Sequence, residues 1–191
     1  DGVAYRILEL YGCTGTPNEG VRWTPDQVFE KIRQIETEHR WLKGKKIIGI
    51  ADPAIWDGET GESIAQTAAR HQVYFQPGDN KRLPGWMQVH YRLQMDDNGY
   101  PQMYVFRNCQ AFIRTVPLLQ YDKCSPEDVD TDGEDHVADE VRYFCMSRPI
   151  RPKAETVGDG YETSPLRLFL DIPKEQITAA EKRPGMEIIN D

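Results

Sequence analysis

The chain has 191 residues, 39% of them hydrophobic and 28% charged, with a formal net charge of −8. That length supports one domain with a real core and leaves little room for a second. The charge excludes a protein that grips nucleic acid by overall positive charge, so phosphate binding requires a local basic patch or bridging metal ions.

Taken in chain order, residues 3–11 alternate β-branched and aromatic side chains with polar ones and predict a strand. The polar Gly/Pro stretch 14–20 predicts a loop. Thr24, Pro25 and Gln27 spell a helix start, with Thr24 as N-cap and Gln27 closing a capping box. Val28, Ile32 and Ile35 supply the stripe of a helix that runs to about Leu42. Residues 45–52 predict a buried strand that ends where Pro53 forces Asp52 out of helical geometry. Ser63 and Gln66 form a second capping box for a helix to Arg70, and residues 73–77 predict a short strand. A helix over 83–93 carries Trp86, Val89 and Leu93 on one face. Residues 102–106 predict a strand, and 109–119 a helix that carries Phe112, Ile113 and Val116. The acidic loop 122–132 leads into a helix whose Val137, Val141, Phe144 and Cys145 share one face.

Strands alternating with helices predict an α/β domain with a mixed sheet over 1–149. Residues 148–191 hold five of the thirteen prolines and little periodicity, which predicts an extended tail over 150–191 with short pieces of structure such as 166–170. No apolar run approaches a membrane span, and the first residues lack a signal-peptide pattern, so no membrane partner is expected. Cys13, Cys109, Cys124 and Cys145 have no metal-type spacing and are read as reduced thiols of a cytosolic protein.

The stretch that carries most chemistry is 134–144. Asp135 and Asp139 are i, i+4 neighbours, and His136 and Asp139 are i, i+3 neighbours, all beside the apolar stripe. They read as a solvated acidic helix start, which offsets the helix dipole, or as carboxylates aimed at a metal ion. Asp52, at the end of a predicted buried strand, either caps the Pro53 turn or sits where ligands gather in open α/β sheets. Lys81 and Arg82, with Trp86 nearby, form a solvated turn or a grip on a phosphate backbone. Residues 128–133 match the front half of a calcium-binding EF-hand loop. Asp139 stands at the twelfth position in place of the expected Glu, and Pro126 weakens any preceding helix.

Together these segments resemble the C-terminal nuclease domain of the large terminase subunit of tailed bacteriophages. The carriers are residues 48–56, the 80–86 turn, residues 109–117 and residues 135–143, in that order and spacing. The resemblance implies a ribonuclease H-like α/β fold, a mixed sheet flanked by helices, and metal-dependent cleavage of concatemeric double-stranded DNA. By the same resemblance Asp52 matches the family's second acid and Asp139 its last. Asp135 and His136 match neighbours that assist the metal, and Lys81 and Arg82 are candidate DNA contacts. The implied cofactor is a pair of Mg²⁺ or Mn²⁺ ions roughly 4 Å apart. Such a pair stabilises charge on the attacking and leaving oxygens and suits carboxylate ligands. The implied partners are DNA, the portal protein, the small terminase subunit and an N-terminal ATPase domain, in the host cytoplasm. The family's first acid is expected upstream of Asp1, so the chain as given is expected to bind metal weakly and cut poorly. Two other readings stand beside this one: a non-enzymatic docking module for packaging partners, and a calcium-binding loop protein.

Overall fold

The computed structural model describes residues 2–16, 19–58 and 61–150. The expected tail, with its element at 166–170, lies outside the described residues, as does Asp1. In chain order the elements are β1 (Ala4–Arg6), α1 (Pro25–Glu38), β2 (Gly49–Ala51), a 3₁₀ turn (Pro53–Trp56), α2 (Ile64–Arg70), β3 (Phe75–Pro77), α3 (Arg82–Leu93), β4 (Met103–Val105), α4 (Gln110–Thr115), a 3₁₀ turn (Val116–Leu118) and α5 (His136–Ser147). The chain is therefore α/β. Its described strands pair as two two-stranded parallel ladders, β1 with β4 and β2 with β3, where the sequence predicts a larger mixed sheet. The residues fall into two compact units, 11–81 and 2–10 with 82–150.

In the unit spanning 11–81, both predicted capping boxes form. The Thr24 backbone N–H donates to Gln27 Oε1 at 2.9 Å, and the Ser63 N–H donates to Gln66 Oε1 at 2.8 Å. These contacts reach three residues along the chain, which is why spacing alone finds them. The buried centre is Phe29, Ala68 and Val73, with Val28, Ile32 and Phe75 packed against it. Helix α1 stops at Glu38, short of Leu42. His39 takes extended geometry there, and Gly44, at φ 72°, supports the turn that follows. The predicted buried strand 45–52 shortens to Gly49–Ala51, and Ile47 and Ile48 are 40% and 45% exposed. A continuous apolar run does not report how many neighbours a strand has, and β2 has one partner strand, β3.

In the other unit, β1 ends at Arg6, short of the predicted Tyr11, because Glu9 turns toward α4. Its carboxylate accepts the backbone N–H groups of Ala111 and Phe112 and pairs with Arg6 at 3.2 Å. Helix α4 gives way to a 3₁₀ turn at Val116, since Pro117 cannot donate an i→i−4 bond. Phe112 and Val116 are buried, whereas Ile113 is exposed. On α5, Val137, Val141 and Cys145 are buried and Phe144 lies at the edge of the stripe, with the Arg92 guanidinium 5.8 Å from its ring centre. Burial raises the thiol pKa of Cys109 and pushes that of Cys145 up to about 12. All four cysteines are free thiols.

Helices α3 and α5 meet closely at Gly85. A Cβ there would lie 2.5 Å from Cγ and 2.8 Å from Cδ of Arg142. Arg142 is 2% exposed and hydrogen-bonded to Asp139, so its stem cannot swing aside. Gly85→Ala gains helix propensity of about 1 kcal/mol, and overpacking of this kind costs ~1–3 kcal/mol. We expect the variant to be the less stable protein in urea unfolding. Equal or greater stability would show that the α3–α5 approach is looser than described.

Among the described residues, no helix is long and apolar enough to cross a membrane.

Candidate active site

The start of α5 gathers three carboxylates and two guanidinium groups, all within one unit. Asp135 precedes the helix as its N-cap residue, yet its side chain makes no capping hydrogen bond. It is buried, and its backbone carbonyl accepts the Asp139 N–H at 2.9 Å, which places the two acids one turn apart on one face. Asp139 Oδ1 accepts Arg142 Nε at 3.0 Å and Arg82 Nη1 at 3.4 Å. Arg82 Nε lies 2.9 and 2.8 Å from the two oxygens of Asp128. Asp128 Oδ1 also accepts Trp86 Nε1 and its neighbour's N–H, from Val129, both at 2.7 Å. The Arg142 guanidinium lies over the rings of Trp86 and Tyr143, at 5.5 and 4.6 Å from their centres. Two cations are thus held between acids and aromatic faces, which keeps both guanidinium groups in fixed positions.

The electrostatics divide the acids. Burial pushes the Asp128 carboxyl up, but hydrogen bonds from Arg82, Trp86 and Val129 outweigh it and hold the pKa below 3.8. Asp135 goes the other way. Burial first, and then the Asp139 charge, push it above 3.8, against the opposing pull of His136 and Arg82. Three carboxylates face two guanidinium groups, and Asp135 carries the charge left least compensated.

The sign follows from linkage. A carboxyl whose folded pKa is raised binds its proton more tightly in the folded state. Its favourable contribution is full below pH 3.8 and is lost as pH rises through the folded value. Asp135→Asn, which removes the charge, should therefore melt higher than the parent at pH 7, with the difference closing below about pH 4. A variant that melts lower at pH 7 would mean that the Asp135 charge is already matched. Asp128 has the opposite sign: its contribution is present above pH 3.8 and fades as pH falls below it.

The other sequence-predicted residues are placed as follows. His136 is exposed, its side chain 68% accessible, with Nδ1 3.8 Å from Asp135 Oδ1. Arg82 is held by Asp128 and Asp139. Lys81 belongs to the 11–81 unit, where its backbone N–H donates to Asp79 Oδ1 at 3.1 Å and its Nζ lies 3.4 Å from Asp79 Oδ2. Asp52, in that same unit, is exposed at the end of β2 and accepts the Ala54 N–H at 2.7 Å, so it does cap the Pro53 turn. The calcium-loop reading loses its geometry, because no helix among the described residues leads into Asp128 and its carboxylate is committed to Arg82 and Trp86. Sequence reasoning missed Arg142. The available signal was an arginine within the apolar run 141–145, three residues after Asp139.

Among the described residues, no group of three or more His, Cys, Asp or Glu side chains is gathered to hold a metal ion. The donors on α5 nevertheless fit part of such a site. Asp135 and Asp139 offer the hard oxygens that Mg²⁺ and Mn²⁺ favour. A cation beside Asp135 would relieve the charge that burial and Asp139 make costly. Two acids on one helix supply a fraction of six ligands, so the remainder would come from water, phosphate or other acids.

No protein-family model matches this chain, and neither a curated protein nor a solved structure matches it.

Proposed function

We propose that this chain is the metal-dependent nuclease domain of a phage DNA-packaging terminase, ribonuclease H-like in fold, that cuts concatemeric double-stranded DNA. The observation that carries the reading is the Asp135–Asp139 pair at the start of α5, with Asp135 buried and Asp139 half-buried against two guanidinium groups. Displaced electrostatics of this kind concentrate at functional sites. The resemblance over residues 48–56, 80–86, 109–117 and 135–143 supplies the reaction class.

In this reading Asp139 and Asp135 hold Mg²⁺ or Mn²⁺, and Asp52 is the further acid that the resemblance assigns. A divalent ion bound there supplies charge stabilisation for phosphodiester hydrolysis. The chain's own residues do the rest. Arg142, clamped between two aromatic rings, fixes the Asp139 carboxylate in one orientation. Arg82 ties that carboxylate to Asp128 on the preceding loop. His136, exposed beside the pair, is placed to accept or give a proton at Nδ1 or Nε2. Lys81 remains a candidate backbone contact. The proposed partners are the portal protein, the small terminase subunit and an ATPase domain, in host cytoplasm.

The test is nicking of supercoiled plasmid by this chain in Mn²⁺. Conversion to open circles, abolished by EDTA and by Asp52→Ala or Asp139→Ala, is the expected result. Equal cutting by parent and both variants would sink the proposal.

A further inference from the structure

The turn after α1 concentrates positive charge in a way that the acidic whole conceals. Arg40, Lys43, Lys45 and Lys46 fall within seven residues, and no Asp or Glu occurs from 39 to 51, in a chain of net charge −8. All four cations are exposed. Several described cations elsewhere pair with acids: Arg6 with Glu9 and Glu140, Arg70 with Glu62 and Asp26, Arg82 with Asp128, Arg114 with Glu134. Lys43, Lys45 and Lys46 have no acidic partner among the described residues.

The backbone of this stretch is built rather than loose. The N–H groups of Leu42 and Lys43 both donate to the His39 carbonyl at 2.9 Å, and the Lys45 N–H donates to the Leu42 carbonyl at 2.9 Å. Gly44 takes φ 72°, which a glycine adopts without penalty. Exposed Trp41 anchors the patch, with the Arg40 guanidinium 4.8 Å from its ring centre and the His39 ring edge-on at 5.9 Å. The α1 dipole accounts for cations in or just beyond its last turn, but its effect fades before Lys45 and Lys46. What such a turn fits is a run of phosphates, where each lysine meets one anion and releases a counterion.

We infer that the turn 40–46 is a backbone-contacting site for double-stranded DNA, in which Lys43, Lys45 and Lys46 engage phosphates. The choice of DNA rests on the nuclease reading, while the contact itself needs neither metal nor cleavage. It also resolves how an acidic chain could hold a polyanion: through one local basic surface.

The test is fluorescence anisotropy of a short labelled duplex with the full chain, in EDTA, between about 50 and 200 mM salt. The variant K43Q/K45Q/K46Q should bind at least about tenfold more weakly at the lowest salt. Its log–log salt dependence should be shallower by about 2.7, at ~0.9 per phosphate contact. K43R/K45R/K46R should bind as the parent does, and so should K31Q/K123Q, which removes two charges elsewhere. If the triple glutamine variant melts early, the single substitutions carry the test, each reducing the slope by about 0.9. Parent-like binding by the glutamine variants overturns the inference, as does a parent that fails to bind the duplex. So does a patch that governs binding to phosphatidylserine vesicles with duplex affinity unchanged. DNA binding through the patch without Mn²⁺-dependent nicking would count against the nuclease reading and leave the contact standing.

Discussion

Asp139→Asn should lose Mn²⁺-dependent nicking by more than about 100-fold, because even the residues that merely orient metal ligands are worth 10–100-fold. Asparagine keeps the shape and can still accept the Arg142 Nε hydrogen bond that Asp139 receives at 3.0 Å. It removes the negative charge that a divalent ion and both guanidinium groups need. Some stability is lost too, since Arg142 is buried and its charge then lacks a full counterpart. Activity should therefore be compared at a temperature where both proteins are folded by circular dichroism. Asp128→Asn is the internal control. It weakens the same ion-pair network on its other side while leaving the Asp135–Asp139 pair in place. If both variants lose activity in proportion to stability, the pair is structural and the nuclease assignment of α5 fails.

The largest effect on stability is expected from Asp128→Ala. Its carboxylate is the common acceptor for Arg82 Nε, Trp86 Nε1 and the Val129 N–H, at 2.7–2.9 Å. The side chains of Arg82 and Asp128 are 28% and 21% exposed, so this pair is sheltered but not fully dry. Removing it takes the acceptor from the Trp86 indole N–H and leaves the sheltered Arg82 guanidinium with only its longer contacts, to Asp139 at 3.4 Å and the Val129 carbonyl at 3.3 Å. Breaking a fully buried pair costs about 3–5 kcal/mol, and partial exposure brings the expectation to about 3 kcal/mol. That corresponds to a fall of roughly 6–12 °C in Tm for a chain of this size. Acid should remove the same contribution in the parent, because the depressed Asp128 pKa makes it fade below pH 3.8. A loss under about 1 kcal/mol would show that Arg82 finds equal company with Asp139 alone.

These two residues also mark how far a sequence can be read. Asp135 and Asp139 were legible because they sit on one helix, where spacing is geometry. The capping boxes at Thr24 and Ser63 were legible for the same reason. Arg82 and Asp128 are 46 residues apart, and no local pattern announces their pairing. Arg142 was hidden by its surroundings, since an arginine beside an apolar run reads as the solvated flank of a helix. Here it is the largest fully buried side chain among the described residues. The strands were found but overextended. Ile47 and Ile48 look like core in a continuous apolar run, yet the ladder begins at Gly49. Pairing depends on β3, which lies beyond an intervening helix and leaves no trace in the run itself. The basic turn is masked in the sequence because Arg40 falls at the expected end of a helix and Lys45 and Lys46 at the start of an expected buried strand.

Anomalous diffraction from crystals soaked in Mn²⁺ decides whether the acids of α5 hold a divalent ion. A manganese peak is expected roughly 2.1 Å from an Asp139 carboxylate oxygen, with Asp135 in or beside the ligand set. Peaks confined to other acids, with Asp139 still bound only to Arg82 and Arg142, would contradict it.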